Sequence, residues 1–181
     1  MQLYLIRHPA PQVAAGTCYG RTDLPLAGDV ADAAARILPQ LPPRLPVYTS
    51  PLQRCRQLAA ELHPAPRSDP RLREMNFGAW EMRPWNLIER DALSGWAADP
   101  LGYFPPQGES VAQLQARVQD FVMEARRQGL QRAVLVTHAG VIKVIVGNAR
   151  GMPARQWMAL NFDYESVICV DIQSPKPDSS P

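Results

Sequence analysis

His8 and His138 are the residues of this chain best placed to do chemistry together, although they stand near opposite ends of the sequence. His8 follows Arg7 at the end of the apolar run Leu3-Tyr4-Leu5-Ile6, and His138 stands in Thr137-His138-Ala139-Gly140 after the run Ala133-Val134-Leu135-Val136. A neutral imidazole is a nucleophile at physiological pH, its ordinary pKa being about 6.5, and nearby positive charge holds it neutral. Arg7 supplies such charge; a guanidinium also binds phosphoryl oxygens and offsets charge in their transition state. A second guanidinium is available in Ser50-Pro51-Leu52-Gln53-Arg54, where Arg54 enters a helix directly after a strand, close to the helix's positive end. One buried histidine alone reads as a hydrogen-bonded core residue. Two of only three in the chain, each delivered by a strand end, point to a shared site.

The elements that must position these groups follow from hydrophobic pattern. Short apolar runs bounded by polar residues are buried strands of a parallel sheet, and open α/β sheets bind ligands outside the carboxyl ends of their strands. A loop rich in proline and glycine runs from Pro9 to Asp23. Helices are predicted over 29–38, over 52–62 with Ser50 as capping hydroxyl, over 85–96, from Ser110 with Gln113 in a capping-box pattern, and over 141–149. Strands at 46–49 and 166–172 complete an α/β alternation. It predicts a three-layer α/β/α sandwich with a mostly parallel central sheet.

Composition sets the remaining bounds. The chain has 181 residues, room for one domain over 1–172, followed by a polar, proline-rich tail, 173–181, whose composition predicts disorder. A net charge of +2 and 20% charged residues argue against a nucleic-acid or membrane partner. Cys18, Cys55 and Cys169 have no metal-ligand spacing and form no even disulfide set, and Met1–Ile6 enters a strand-like run with no leader pattern; both predict a cytoplasmic protein. The oligomeric state is not legible.

With these motifs in place, the chain resembles the histidine phosphatase superfamily, also called the phosphoglycerate mutase-like family. Its opening Arg-His motif is matched by Leu5-Ile6-Arg7-His8, its Ser-Pro-x-x-Arg pattern by Ser50–Arg54, and its second histidine motif by Thr137–Gly140. Its Glu-x-x-Phe/Tyr-Gly-x-Trp-Glu pattern is matched by Glu74–Glu81, and its Gly-Glu-Ser by Gly108-Glu109-Ser110, all in family order. The resemblance implies a phosphoglycerate mutase-like fold and a metal-independent phosphomonoesterase without cofactor, acting on a small phosphorylated metabolite. It implies His8 as nucleophile forming a phosphohistidine, and Arg7, Arg54 and His138 as phosphate ligands. Glu74 would be the acid and then the base, with Glu81 and Glu109 as other candidate carboxylates.

Three positions depart from the family pattern. Pro9 stands where the family has glycine, removing an N–H and fixing φ. The loop lacks the usual Thr/Ser and Asn, leaving Thr22 or a backbone N–H near Gly20 as a substitute phosphate donor. Met82 follows Trp80-Glu81 where glycine is common.

The loop Gly16-Thr17-Cys18-Tyr19-Gly20-Arg21-Thr22-Asp23 resembles that of bacterial α-ribazole-phosphate phosphatases, which act in cobalamin synthesis. That implies an α-ribazole 5′-phosphate phosphatase with Tyr19, Trp80, Trp85 and Glu109 near the substrate. The alternatives are a broad-specificity small-molecule phosphatase and an inactive phosphate-binding scaffold protein.

Overall fold

The computed structural model describes residues 1–173. The tail expected to be disordered lies, beyond Gln173, outside the described residues. Five strands form one sheet: β1 (Gln2–Arg7), β2 (Val47–Thr49), β3 (Arg67–Ser68), β4 (Arg132–Thr137) and β5 (Val167–Asp171), in the spatial order β3-β2-β4-β1-β5. All neighbours are parallel except β5, which runs antiparallel to β1 at the edge.

Side-chain alternation along the strands builds the two faces. Leu3, Leu5, Ala133 and Leu135 pack on one side against α4 (Val111–Arg127) and α5 (Ala139–Ala149). Ile6, Val134 and Val136 pack on the other against α1 (Val30–Ile37) and α2 (Gln53–Leu62). This is the expected three-layer sandwich, with the sheet buried on both faces. A small satellite core of Cys18, Trp80 and Ile88, joined by Phe77, Trp85, Trp96 and Tyr103, holds α3 (Arg90–Ala98) beside the main body. Among the described residues no helix is long and apolar enough to cross a membrane.

Several boundaries differ from expectation for local reasons. The helix expected over 85–96 is two pieces, a 3-10 turn at Trp85–Leu87 and then α3. Ile88 is extended between them, its side chain drawn into the satellite core. The helix expected from Val141 begins at Ala139, with His138 as its extended first flank. Two elements are too short to carry a pattern: β3, of two residues, and α6 (Ala154–Trp157).

Parallel register brings three strand ends level. Arg7 pairs with Thr137 and Thr49 with Val136, while the His8 N–H donates to the Thr137 carbonyl and the Ser50 N–H to the Val136 carbonyl. Because β5 is antiparallel, its amino end lies at this same edge. It delivers residues 162–166 there, pinned by bonds of the Arg7 N–H to the Ser166 carbonyl and of the Glu165 N–H to the Arg7 carbonyl.

Candidate active site

The two histidines meet. Their rings lie edge to face with centroids 5.0 Å apart, and both side chains are buried. His8 Nδ1 is 2.7 Å from the Pro9 carbonyl oxygen. A carbonyl only accepts, so this nitrogen carries the proton and Nε2 keeps its lone pair toward Arg54, whose Nε donates to it at 3.3 Å. Pro9 has therefore lost an N–H but kept the carbonyl that sets the tautomer of His8. Burial, then Arg54 and Arg7, push the pKa of His8 down to about 3. His138 is lowered too, by burial and then by His8 and Arg54. Both rings are neutral at physiological pH.

Both guanidinium groups expected around them are present, and each is held by neutral partners. Arg54 is wholly buried and donates to the Thr22 and Gly20 carbonyls, each at 2.7 Å. Arg7 donates to the Phe162 carbonyl at 2.7 Å, and its buried Nε has no partner among the described residues. Among the described residues neither arginine pairs with a carboxylate. Arg54, wholly buried, and Arg7, half-buried, thus carry charge that no carboxylate among the described residues neutralises.

The start of α2 explains how Arg54 is placed. Ser50 does not cap the helix as expected: Leu52 is the flanking residue, and the Ser50 hydroxyl lies 2.8 Å from His138 Nε2. Asp23 does the capping from the loop, accepting the Gln53 N–H at 2.7 Å. Cys55, one turn on, sits with its Sγ 3.5 Å from His138 Nε2; burial pushes its thiol up, so it stays protonated there.

Glu74 is fixed from both ends. Its carboxylate accepts the Met75 N–H at 2.8 Å and the Gly140 N–H at 3.1 Å, the latter in the first turn of α5, which lacks a side-chain cap of its own. The fit is close, since a Cβ on Gly140 would run into the Glu74 carboxylate. The Glu74 carbonyl accepts from Arg117 at 3.0 Å and from Arg21 at 3.3 Å. Glu74, Arg7, Tyr19, Trp85 and Tyr164 line an open cavity of about 550 Å³, large enough for a nucleotide-sized ligand.

Geometry corrects three expected roles and separates Glu81 from Glu74 as the candidate acid. Thr22 is not a free phosphate donor: its hydroxyl and N–H both go to Glu81, and its carbonyl to Arg54. Glu81 spends its carboxylate on the N–H groups of Arg21, Thr22 and Phe77, which ties the loop down and leaves it no proton-transfer task. Glu109 does not line the cavity; it is buried between Arg117 and Arg21 at 2.6 and 3.1 Å and accepts the Asn76 N–H. Trp80 is buried and stacked on Tyr103, away from the cavity.

Tyr19 and Trp85 do line the cavity. Tyr164, which no sequence signal marked, covers Arg7 with its ring 3.9 Å from the guanidinium and shares a 2.9 Å hydroxyl contact with Tyr19. Met82 adopts φ +64°, which explains the preference for glycine there.

Known proteins show which family this chain belongs to. The family model for the histidine phosphatase superfamily (branch 1) matches residues 3–179. The adenosylcobalamin/alpha-ribazole phosphatase of Salmonella typhimurium is 31% identical over 95% of this chain and 91% of its own length. A Hydrogenobacter thermophilus protein to which a phosphoserine phosphatase activity has been ascribed is 26% identical over 97% of this chain and 91% of its own. The crystal structure of the alpha-ribazole phosphatase from Shigella flexneri superposes with a TM-score of 0.80 at 29% identity, covering 96% of this chain and 91% of that one. By its motifs, its fold and these relatives, the chain belongs to branch 1 of the histidine phosphatase superfamily, as one of its phosphatases.

Proposed function

We propose that this phosphatase hydrolyses α-ribazole 5′-phosphate, with His8 as phosphoryl acceptor and Glu74 as acid and base. The observation that carries the catalytic part is the pair of guanidinium groups, half-buried Arg7 and wholly buried Arg54, that flank a neutral His8 and have no carboxylate partner among the described residues.

In the first step the His8 Nε2 lone pair forms the bond to phosphorus as the ester P–O bond breaks, and the protonated Glu74 gives its proton to the departing alkoxide. In the second, water attacks the phosphohistidine, Glu74 takes a water proton, and the P–N bond breaks to release phosphate and neutral His8. Arg7 and Arg54 offset the charge on the phosphoryl oxygens throughout, and neutral His138 helps to hold them.

The Tyr19 loop and the Salmonella and Shigella relatives support the substrate assignment. The width of the open cavity, and the different activity ascribed to the Hydrogenobacter relative, favour broad specificity as a second reading. The test compares kcat/KM on α-ribazole 5′-phosphate, p-nitrophenyl phosphate, phosphoserine and several sugar phosphates. A preference of ~100-fold or more for the ribazole ester is expected; equal rates on all of them support the second reading instead.

A further inference from the structure

Glu74 borders two chambers. Besides the open cavity, a smaller one of about 200 Å³ lies toward α4 and α5, walled by Trp85, Trp96, Trp157, Leu114 and Val144, with Lys143 at its edge. The two are neighbours across Phe77 and Trp85, which line both and whose rings meet edge to face at 5.4 Å. Trp85 and Trp96 lie nearly parallel, 13° between planes.

Polar groups here are few. Apart from the Glu74 carboxylate there is the half-buried ammonium of Lys143, which gives one bond, of 3.1 Å, to the Met158 carbonyl. Trp96 carries a buried indole N–H with no partner among the described residues.

The chemistry at Glu74 decides what can enter. A general acid must reach the oxygen it protonates, so the carbon skeleton of the leaving group starts beside the Glu74 carboxylate. An apolar cavity of about 150 Å³ holds benzene, so this chamber has room for one compact ring system. Aromatic walls favour an aromatic guest, by stacked or edge-on contact. An apolar site with one or two directed polar groups binds a particular ring rather than any hydrocarbon, and the spare N–H bonds of Lys143 ask for an acceptor.

We propose that this tryptophan-walled chamber binds the heterocyclic ring of the substrate's leaving group, a nucleotide base with a hydrogen-bond acceptor facing Lys143. The proposal rests on the phosphatase reading above, with Glu74 as the acid, and adds the means by which ring-bearing esters are chosen. Binding the ring away from the reacting phosphorus holds the ester oxygen at Glu74, so its loss lowers kcat as well as raising KM.

Two kinds of variant separate the chambers. Val144→Phe and Lys143→Met alter the small one, whereas Ala14→Phe narrows the open cavity. The readout is kcat/KM for α-ribazole 5′-phosphate and AMP divided by that for glycerol phosphate, which has no ring. The first two variants are expected to lower this ratio ~10-fold or more, and Ala14→Phe to leave it nearly unchanged.

A second measurement needs no turnover and no core substitution. Unphosphorylated benzimidazole titrated into the wild-type protein is expected to quench tryptophan fluorescence saturably, and far more weakly in Lys143→Met. Loss of the ratio in Ala14→Phe alone, an unchanged ratio in Lys143→Met, or no saturable quenching overturns the proposal. If the wild type hydrolyses none of the esters, the phosphatase reading has failed, and the benzimidazole titration still decides what the chamber holds.

Discussion

Two clusters of charge near Glu74 follow opposite rules. In the first, Arg7 and Arg54 donate to backbone carbonyls and His8, and one buried nitrogen of Arg7 has no partner among the described residues. In the second, the Glu109 carboxylate is shared by Arg117 and Arg21, while the remaining Arg117 bonds go to the carbonyls of Arg71, Arg73 and Glu74. A cation that ends on a carboxylate is neutralised within the fold and holds the chain in place. A cation that ends on carbonyls alone keeps its charge for something that arrives. The same residue type thus lines the proposed site in one place and ties down the fold in the other, and the partner tells them apart.

The strongest challenge to this contrast is removal of the acceptor. His8→Ala is expected to lower kcat on the order of 10⁴-fold or more while the protein stays folded, as measured by steady-state assay and circular dichroism. Activity within tenfold of the wild type would place the chemistry elsewhere.

Exchanging one arginine from each cluster sharpens the comparison. Arg54→Met is expected to cost ~10³-fold in kcat and about 1–2 kcal/mol in unfolding free energy, because it leaves the Thr22 and Gly20 carbonyls, but no carboxylate, without their donor. Arg117→Met leaves the buried Glu109 with Arg21 as its remaining cation and takes the donor from the carbonyls of Arg71, Arg73 and Glu74, and is expected to cost about 3 kcal/mol in denaturant unfolding. Inorganic phosphate at 100 times its Kd is expected to stabilise the wild type and Arg117→Met by about 2.7 kcal/mol, and Arg54→Met far less.

Acid acts on the first cluster. The folded-state pKa of His8 is lowered to about 3 and that of His138 moves the same way, so below about pH 6.5 the unfolded chain binds more protons than the folded one. Stability is therefore full above that pH and falls as pH drops toward 3, by up to about 1.4 kcal/mol per pH unit for each histidine. The slope between pH 5 and 6.5, read from urea melts, is expected to be clearly shallower in His8→Ala. The smallest effect lies outside both clusters. Met82→Gly relieves a left-handed backbone and is expected to raise stability by about 1 kcal/mol without changing kcat.

The parts of this molecule legible in its sequence are those written as runs and spacings. β1 and β4 are continuous apolar runs, α4 has its capping box, and the histidines and Arg54 stand where strands end, so both the layers and the meeting of these groups could be inferred. What could not be read depends on where loops return. Tyr164 reaches Arg7 only because β5 is antiparallel, and strand direction is not encoded in an apolar run. Glu109 and Thr22 are polar residues in promising motifs, but whether a carboxylate faces a ligand or two arginines depends on tertiary placement. Trp80 and Trp85 are alike in composition and only five positions apart; one is core and the other cavity wall, because the chain turns at Met82 between them.

The most direct test of the central claim, that the unneutralised cluster is a phosphoryl site with His8 as its acceptor, is rapid quenching of turnover with a ³²P-labelled phosphomonoester. The account predicts label on the wild-type protein that is stable to base, labile to acid and chased by unlabelled substrate, and no label on His8→Ala. Rapid turnover without labelled protein at any quench time, or label that persists in His8→Ala, would contradict it.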